Sequence, residues 1–160
     1  MFKQLESDGT IKQARLSVME AMKSHNGRKI VLKFNKKFQA IGDEAGILSG
    51  VLRLLGADYN KFSICEKDWR KISSKDKIYN ECVKEMFHFD EDSRGIIKRI
   101  IIKSIGRSWE EMRSRLYHDY YNSKKMIEQN IEERPPGISA DHWRWFLDYR
   151  NSEDTKVIYF

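Results

Sequence analysis

The chain of 160 residues is poor in residues that crosslink or interrupt a fold: it has two cysteines, two prolines and nine glycines. So few prolines and glycines favour long regular elements over many turns, because these residues are the strongest breakers of helices and strands. No apolar run approaches the ~20 residues that span a membrane, and the first ten residues contain no apolar signal core. We therefore expect no membrane segment and a location in the cytosol or the nucleus.

The cysteines and the four histidines do not form a recognisable metal site. Neither cysteine has a second one within four residues, and no two histidines are spaced four apart, as common zinc motifs require. One disulfide between Cys65 and Cys82 is an alternative, but without an export signal we expect two reduced core thiols. We therefore predict no bound metal.

Sequence patterns of catalysis are also missing. Gly42, Gly46, Gly50 and Gly56 fit neither a phosphate-binding loop nor a dinucleotide fingerprint, and no GxSxG nucleophile motif occurs. Carboxylates are plentiful, but their spacing suggests no catalytic cluster. We predict no cofactor and no enzymatic activity. The catalytic alternative is a metal-dependent nuclease, which an activity assay with and without magnesium would reveal.

What the sequence does contain is enough apolar surface for one folded domain. Hydrophobic residues make up 40% of the chain and aromatic residues 12%, which is too apolar for a disordered protein. We predict a mainly α, compact helical domain with a small β-hairpin or short strands in the N-terminal third. Residues 1–27 are predicted as an N-terminal helix that could be an appendage, and residues 28–160 as the helical domain.

Individual elements follow from apolar periodicity and from capping residues. Thr10 is predicted to cap a helix that runs to about Ser24, and strands are predicted at 28–34 and 38–41. Further helices are predicted at 44–55, closed by Gly56, and at 74–87. Residues 62–65 read as extended, and 67–72 as a short helical turn. A last helix follows the break at residues 135–137 and is capped by Ser139.

The best helix follows the acidic residues 90–92, which favour the positive end of a helix. Apolar residues repeat there at intervals of four or three from Ile97 to Tyr120, as in one continuous buried stripe. Gly106 leaves open a division into two helices. Large rings dominate buried area, so most aromatics are predicted to be core. The predicted core includes Trp69, Phe87, Ile97, Ile101, Trp109, Leu116 and Trp143.

Positive charge is concentrated on the same helix. Residues 94–125 hold nine basic and three acidic residues, a net charge of +6, whereas residues 1–93 carry +3 and residues 126–160 carry −3. No Asp or Glu occurs between Asp92 and Glu110, and a helical projection places Arg99, Lys103 and Arg107 together opposite the apolar stripe. Such a field attracts polyanions, of which nucleic acid is the commonest. The predicted phosphate contacts are Arg94, Lys98, Arg99, Lys103 and Arg107, with Arg113 and Arg115 as secondary contacts.

Several short motifs occur in an order that resembles the plant transposase-like family of Ptta and En/Spm elements. They are GRKIVLKFN, QAIGDEAGILSGVLRLLG, DWRKIS, YNECVKEMF, IKSIGRSWEEMRSRLYHDYY, RPPGISADHW and FLDYRNSED, and they cover about residues 28–154. One family position is a tryptophan after the extended segment, matched by Trp69. A basic block that opens with tryptophan is matched by Trp109, Arg113, Ser114 and Leu116. A Pro-x-Gly-Ile/Val step before a further tryptophan is matched by Pro135 or Pro136, Gly137, Ile138 and Trp143.

The resemblance implies a nuclear protein of plant origin that is derived from a DNA transposon and binds duplex DNA without cutting it. The alternative is a host-adopted protein-interaction or oligomerisation module with no DNA binding of its own. In that case the basic helix would meet an acidic protein partner, or the apolar helix around Ile47, Val51 and Leu54 would pair between chains. A charged, solvent-facing stripe is also normal for any amphipathic helix, so the structure has to decide whether the cations form one open surface.

Overall fold

The computed structural model describes residues 2–14, 17–23 and 27–152 and shows a mainly α domain with short strands near the amino terminus. Its helices are α1 (Val18–Ala21), α2 (Glu44–Gly56), α3 (Lys75–Ile78), α4 (Lys84–Met86), α5 (Ile96–Tyr120), α6 (Ile127–Glu132) and α7 (Ala140–Arg150). Its strands are β1 (Phe2–Leu5), β2 (Ile11–Ala14), β3 (Lys29–Val31), β4 (Lys33–Phe34), β5 (Ala40–Ile41) and β6 (Phe87–His88). A 3₁₀ turn covers Trp69–Lys71, and a π-helical segment, Tyr79–Val83, joins α3 to α4.

A four-stranded sheet lies at the amino-terminal side, with the strand order β2-β1-β3-β6. β1 pairs antiparallel with both β2 and β3, whereas β3 and β6 are parallel, with Ile30 opposite Phe87. β4 and β5 form a separate antiparallel hairpin. The hairpin confirms the short strands predicted from residues 28–34 and 38–41.

The prediction of a helix over residues 10–24 is wrong at its start, because Ile11–Ala14 is a strand. Asp8 and Gly9 form the turn before it: Gly9 has φ +87°, and the Asp8 carboxylate accepts hydrogen bonds from the Thr10 amide and hydroxyl. The helix that follows is only Val18–Ala21. Residues 15, 16 and 24–26 lie outside the described part of the chain. Since β1 pairs with β3, the amino-terminal segment belongs to the sheet and is not a helical appendage.

The larger hydrophobic core lies between α2, α5 and the sheet. Close approach of α2 to α5 requires Gly56, because a Cβ atom there would lie 2.7 Å from the Ile105 carbonyl oxygen. The Ser108 hydroxyl crosses the same contact and donates to the Arg53 carbonyl at 2.9 Å. Trp109 is fully buried and donates its indole N–H to the Phe62 carbonyl at 3.3 Å.

A second, smaller core lies at the carboxyl end of α5 and is built largely from α7. Ser139 caps α7 by accepting from the His142 amide, as the sequence predicted. Trp143 and Phe146 stack there with ring centres 5.4 Å apart. The residues of this core are Ile64, Ile131, Ile138, Trp143, Phe146 and Leu147.

The predicted core residues are nearly all buried. Phe87, Ile97, Ile101, Trp109 and Trp143 are each at most 4% exposed. Trp69 and Leu116 are half-buried and pack against the larger and the smaller core respectively. Both cysteines are free thiols and half-buried, and burial raises the pKa of each.

Candidate nucleic-acid interface

The helix that carries the basic residues is continuous for 25 residues, so the possible break at Gly106 does not occur. Its start is fixed by Asp92, whose carboxylate accepts from the amides of Ile96 and Ile97 at 2.8 and 2.9 Å. These backbone hydrogen bonds lower the pKa of Asp92, and the one from Ile97 lowers it most. An acidic residue therefore caps the positive end of α5, as the sequence predicted.

Arg99, Lys103 and Arg107 are exposed along one side of α5; we call them the basic stripe. Each is four residues from the next, so the stripe rises about 6 Å per step and about 12 Å in all. No carboxylate of the described residues lies within the 4.0 Å of an ion pair from any of the three. The stripe is therefore open to solvent and electrostatically uncompensated at contact range.

The other predicted phosphate contacts differ in their exposure and in their partners within the protein. Arg94 precedes the helix and is exposed, and Arg115 is exposed two turns beyond Arg107. At about 100° per residue, Arg115 is rotated roughly 80° from Arg107 and does not extend the stripe. Lys98 is half-buried: its ammonium lies 3.1 Å from Asp76 and 5.2 Å from the ring centre of Tyr79. Lys98 is therefore engaged within the protein.

Arg113 does not belong to this surface, which corrects its assignment as a secondary phosphate contact. Its side chain is 5% exposed, and its guanidinium lies 4.0 Å from the ring centre of Trp109 and 5.0 Å from that of Phe146. One N–H donates to the Glu66 carbonyl at 2.7 Å, while the buried Nε has no partner among the described residues. Burial lowers the pKa of Arg113. Its role is to pack between two aromatic rings.

The structure places a second basic segment beside α5. The charge pattern of the helix sequence did not indicate this segment. Residues 66–76 run beside α5 in the opposite direction, as three contacts show. The Glu66 carbonyl meets Arg113, the Trp69 ring lies against Gly106, and Asp76 meets Lys98.

This path brings Lys67 and Lys71, both exposed, to the flank of α5. Neither forms an ion pair with any carboxylate in the described ranges. Arg70, between them, is paired with Asp68 at 3.3 Å. We call the basic stripe together with Lys67 and Lys71 the basic surface. No sequence period links its two parts, which lie on two chain segments that the fold places side by side.

A different feature of the same domain is an apolar groove of about 550 Å³. Leu54, Met112, Leu116, Tyr120 and the residues from Pro135 to Ile138 line most of it. Leu54 and Tyr120 are 38% and 37% exposed. By contrast, Val51 is fully buried against the core and Ile47 is half-buried, so of the three α2 residues predicted to pair between chains only Leu54 is exposed.

Within residues 2–14, 17–23 and 27–152, no three His, Cys, Asp or Glu side chains are grouped so that they could hold a metal ion. No helix in these ranges is both long enough and apolar enough to cross a bilayer.

Comparisons with models of protein families, with curated proteins and with solved structures give no match for this chain. The resemblance to the plant transposase-like family therefore stays a prediction from the motifs.

Proposed function

We propose that this chain is a non-catalytic nuclear module, derived from a plant DNA transposon, that binds duplex DNA through its basic surface. The observation that carries the proposal is the basic stripe: three exposed cations on successive turns of one rigid helix, with no carboxylate partner among the described residues. Lys67 and Lys71 widen the cationic area beside it. The transposon origin and the nuclear location are supported only by the family resemblance.

The charge of the basic stripe predicts how strongly its DNA binding depends on salt and on DNA sequence. Duplex DNA carries one negative charge per ~1.7 Å of helix axis, both strands counted, so about 12 Å of duplex holds roughly seven phosphates, more than the three cations of the stripe can neutralise. Binding releases condensed counterions, and each neutralised phosphate contributes about −0.9 to the slope of log affinity against log salt. Phosphate contacts give affinity and orientation but no base choice. We therefore expect salt-sensitive binding with little sequence preference.

The test replaces Arg99, Lys103 and Arg107 together with Ala. If all three contact phosphates, the salt slope becomes shallower by about 2.7, and the affinity at 0.1 M salt falls by roughly 10²–10³-fold. Binding to a random duplex is measured by fluorescence anisotropy at several salt concentrations. Circular dichroism and thermal melting establish that the variant is folded, which we expect because all three side chains face solvent.

The matched control is the triple variant Lys36→Ala, Lys37→Ala and Arg144→Ala. It removes the same charge from exposed positions outside the basic surface. A general effect of net charge would weaken DNA binding equally in both triple variants, whereas a local surface predicts the large loss only for the stripe. Unchanged affinity and slope in the stripe variant would overturn the proposal. Nuclease activity that depends on magnesium would overturn its non-catalytic part.

The second candidate is a protein-interaction or self-association module, with an acidic protein as one possible partner type. The observation that favours it is the apolar groove with Leu54 and Tyr120 exposed at its wall, because exposed apolar area marks many protein interfaces. Light scattering at physiological salt, together with a gel-shift assay on duplex DNA, separates the two functions. A dimer that persists at high salt and has no DNA affinity would support this second candidate.

A further inference from the structure

Ser73 lies at an exposed bend between the 3₁₀ turn and α3, beside the basic surface. No other described residue forms a hydrogen bond with its hydroxyl group. The neighbouring Ser74 differs: its hydroxyl is part-buried and donates to the Lys61 carbonyl at 2.7 Å. Of these two adjacent serines, only Ser73 presents a free hydroxyl to solvent.

The residues before Ser73 form a recognition pattern for protein kinases. Among all serines and threonines of the sequence, Ser73 alone has an arginine three positions before it, in Arg70-Lys71-Ile72-Ser73. Kinases choose substrates largely by such charge patterns. The Arg70 side chain is 91% exposed, and its pairing with Asp68 is a weak surface interaction. Ile72, which stands between Lys71 and Ser73, has extended backbone angles, φ −69° and ψ 123°.

We propose that Ser73 is a phosphorylation site for an arginine-directed serine/threonine kinase, and that phosphate at Ser73 weakens DNA binding by the basic surface. The second half rests on the proposed function. In the transfer, the Ser73 oxygen forms a bond to the γ-phosphorus of ATP and loses its proton to the kinase base. The bond between that phosphorus and the β–γ bridging oxygen breaks, and ADP leaves.

A phosphate at Ser73 acts through charge and position. It adds about −1.5 to −2 charges and three strong acceptor oxygens. Lys71 lies two residues before Ser73. Lys75 lies two residues after it, and its ammonium already donates to the Trp69 carbonyl at 3.3 Å. Lys71, which belongs to the basic surface, is drawn toward the new phosphate, while the added negative charge repels the DNA backbone. The modification therefore reduces the charge that the basic surface offers to DNA.

The first measurement is phosphorylation of the full chain. The catalytic domain of an arginine-directed kinase and Mg-ATP are added, and the modified residue is found by intact mass and peptide fragmentation. We expect one phosphate, at Ser73, which is absent in Ser73→Ala and retained in the control Ser123→Ala. Arg70→Gln should slow the transfer by about 30-fold, the size expected when a buried charge pair with the kinase is lost. Phosphorylation elsewhere, or none, would overturn the assignment.

The second measurement compares DNA binding of the unmodified, phosphorylated and phosphatase-treated chain. Loss of the Lys71 contact predicts an affinity at 0.1 M salt lower by about 10-fold and a salt slope shallower by about 1. Ser73→Glu should show a smaller loss in the same direction. Its control, Ser49→Glu, places the same charge on the exposed face of α2 and should bind like wild type.

The two proposals fail in different ways. Phosphorylation at Ser73 that leaves DNA affinity unchanged would overturn its regulatory role while the proposed function stands. An unmodified chain that does not bind DNA would overturn the proposed function and the regulatory role together, and the mass measurement would still decide whether Ser73 is a kinase site.

Discussion

The indole ring of Trp69 lies against the backbone of Gly106, so closely that a Cβ atom at residue 106 would fall 2.5 Å from the Trp69 Nε1. The ring is held on its other sides by Phe62 and Trp109, with ring centres 5.0 and 5.6 Å away. Gly106 is thus a close-packing position within a continuous helix. This contact holds the 3₁₀ turn, which includes Lys71, against α5.

Gly106→Ala should therefore destabilise the protein although alanine is the better helix former. The gain in helix propensity is about 1 kcal/mol, but the added methyl group must displace a ring that is packed on several sides. We expect a net loss of about 1–3 kcal/mol in the free energy of unfolding, measured by urea denaturation with tryptophan fluorescence. The control is Gly46→Ala in α2, because Gly46 is exposed and a methyl group there would meet nothing within 4 Å. That variant should gain about 0.5–1 kcal/mol. Equal gains in both variants would contradict the packing of Trp69.

Substitution of Arg113 should affect stability and leave DNA affinity unchanged. Arg113→Ala removes a side chain packed between Trp109 and Phe146 and should cost about 2–4 kcal/mol. Arg113→Met keeps much of the volume and removes a buried charge without a carboxylate partner among the described residues, so its stability should stay within about 1 kcal/mol of wild type. Urea denaturation measures the stability, and anisotropy measures DNA binding of the folded Arg113→Met variant. A reduced salt slope in that variant would return Arg113 to the phosphate contacts. Arg115→Ala, at an exposed position, is the control for stability.

Alkaline pH should destabilise the protein in part through Tyr59. Burial raises the pKa of Tyr59 to about 12, and its buried hydroxyl has no hydrogen-bond partner among the described residues. Between pH 10 and 12 the folded state therefore keeps a proton that the unfolded state releases, so stability falls as the pH rises through this window. Tyr79, buried and bonded to Glu91, also has a raised pKa and adds to the same trend.

The measurement is the urea midpoint as a function of pH for wild type and Tyr59→Phe. The variant should lose less stability between pH 10 and 12, because only Tyr79 and the other shifted groups remain to titrate. The absorbance of tyrosinate should show one fewer phenol that titrates with a raised pKa. Identical alkaline profiles for the two proteins would mean that Tyr59 is accessible to solvent.

Elements with a strong local signal could be predicted from the sequence. The spacing of apolar residues from Ile97 to Tyr120 gave α5, and Ser139 gave the start of α7. The end of α2 was predicted to within one residue, but Gly56 is its last helical residue and Ala57 is its cap. These signals act within one or two turns of a helix, so the sequence contains them in full. The basic stripe followed from the same periodicity.

The error at residues 10–24 came from weighing helix periodicity above turn chemistry. An Asp-Gly pair between two short segments is a strong hairpin signal, and Asp8-Gly9 stands between the segments that form β1 and β2.

Arg113 was predicted to be exposed because of its charge. It follows Trp109 by four residues and therefore lies on the buried side of α5.

Other parts of the site depend on contacts between distant residues. The segment that carries Lys67 and Lys71 lies beside α5 through contacts between distant residues, such as Trp69 on Gly106, 37 positions further along the sequence. No local pattern encodes that distance. The apolar groove is of the same kind, since Leu54, Leu116 and Pro136 come from three separate parts of the chain.

Because α5 is long enough to contribute side chains to both hydrophobic cores, we expect the two cores to unfold as one cooperative unit. Its first half contributes Ile97 to Trp109 to the larger core, and its second half contributes Leu116 and Tyr117 to the smaller one. Opening either core removes a wall of the other, so native-state hydrogen exchange should report a single global event for the amides of this helix. A ligand held on its amino-terminal turns would then slow exchange in the carboxyl-terminal core, far from any atom it touches.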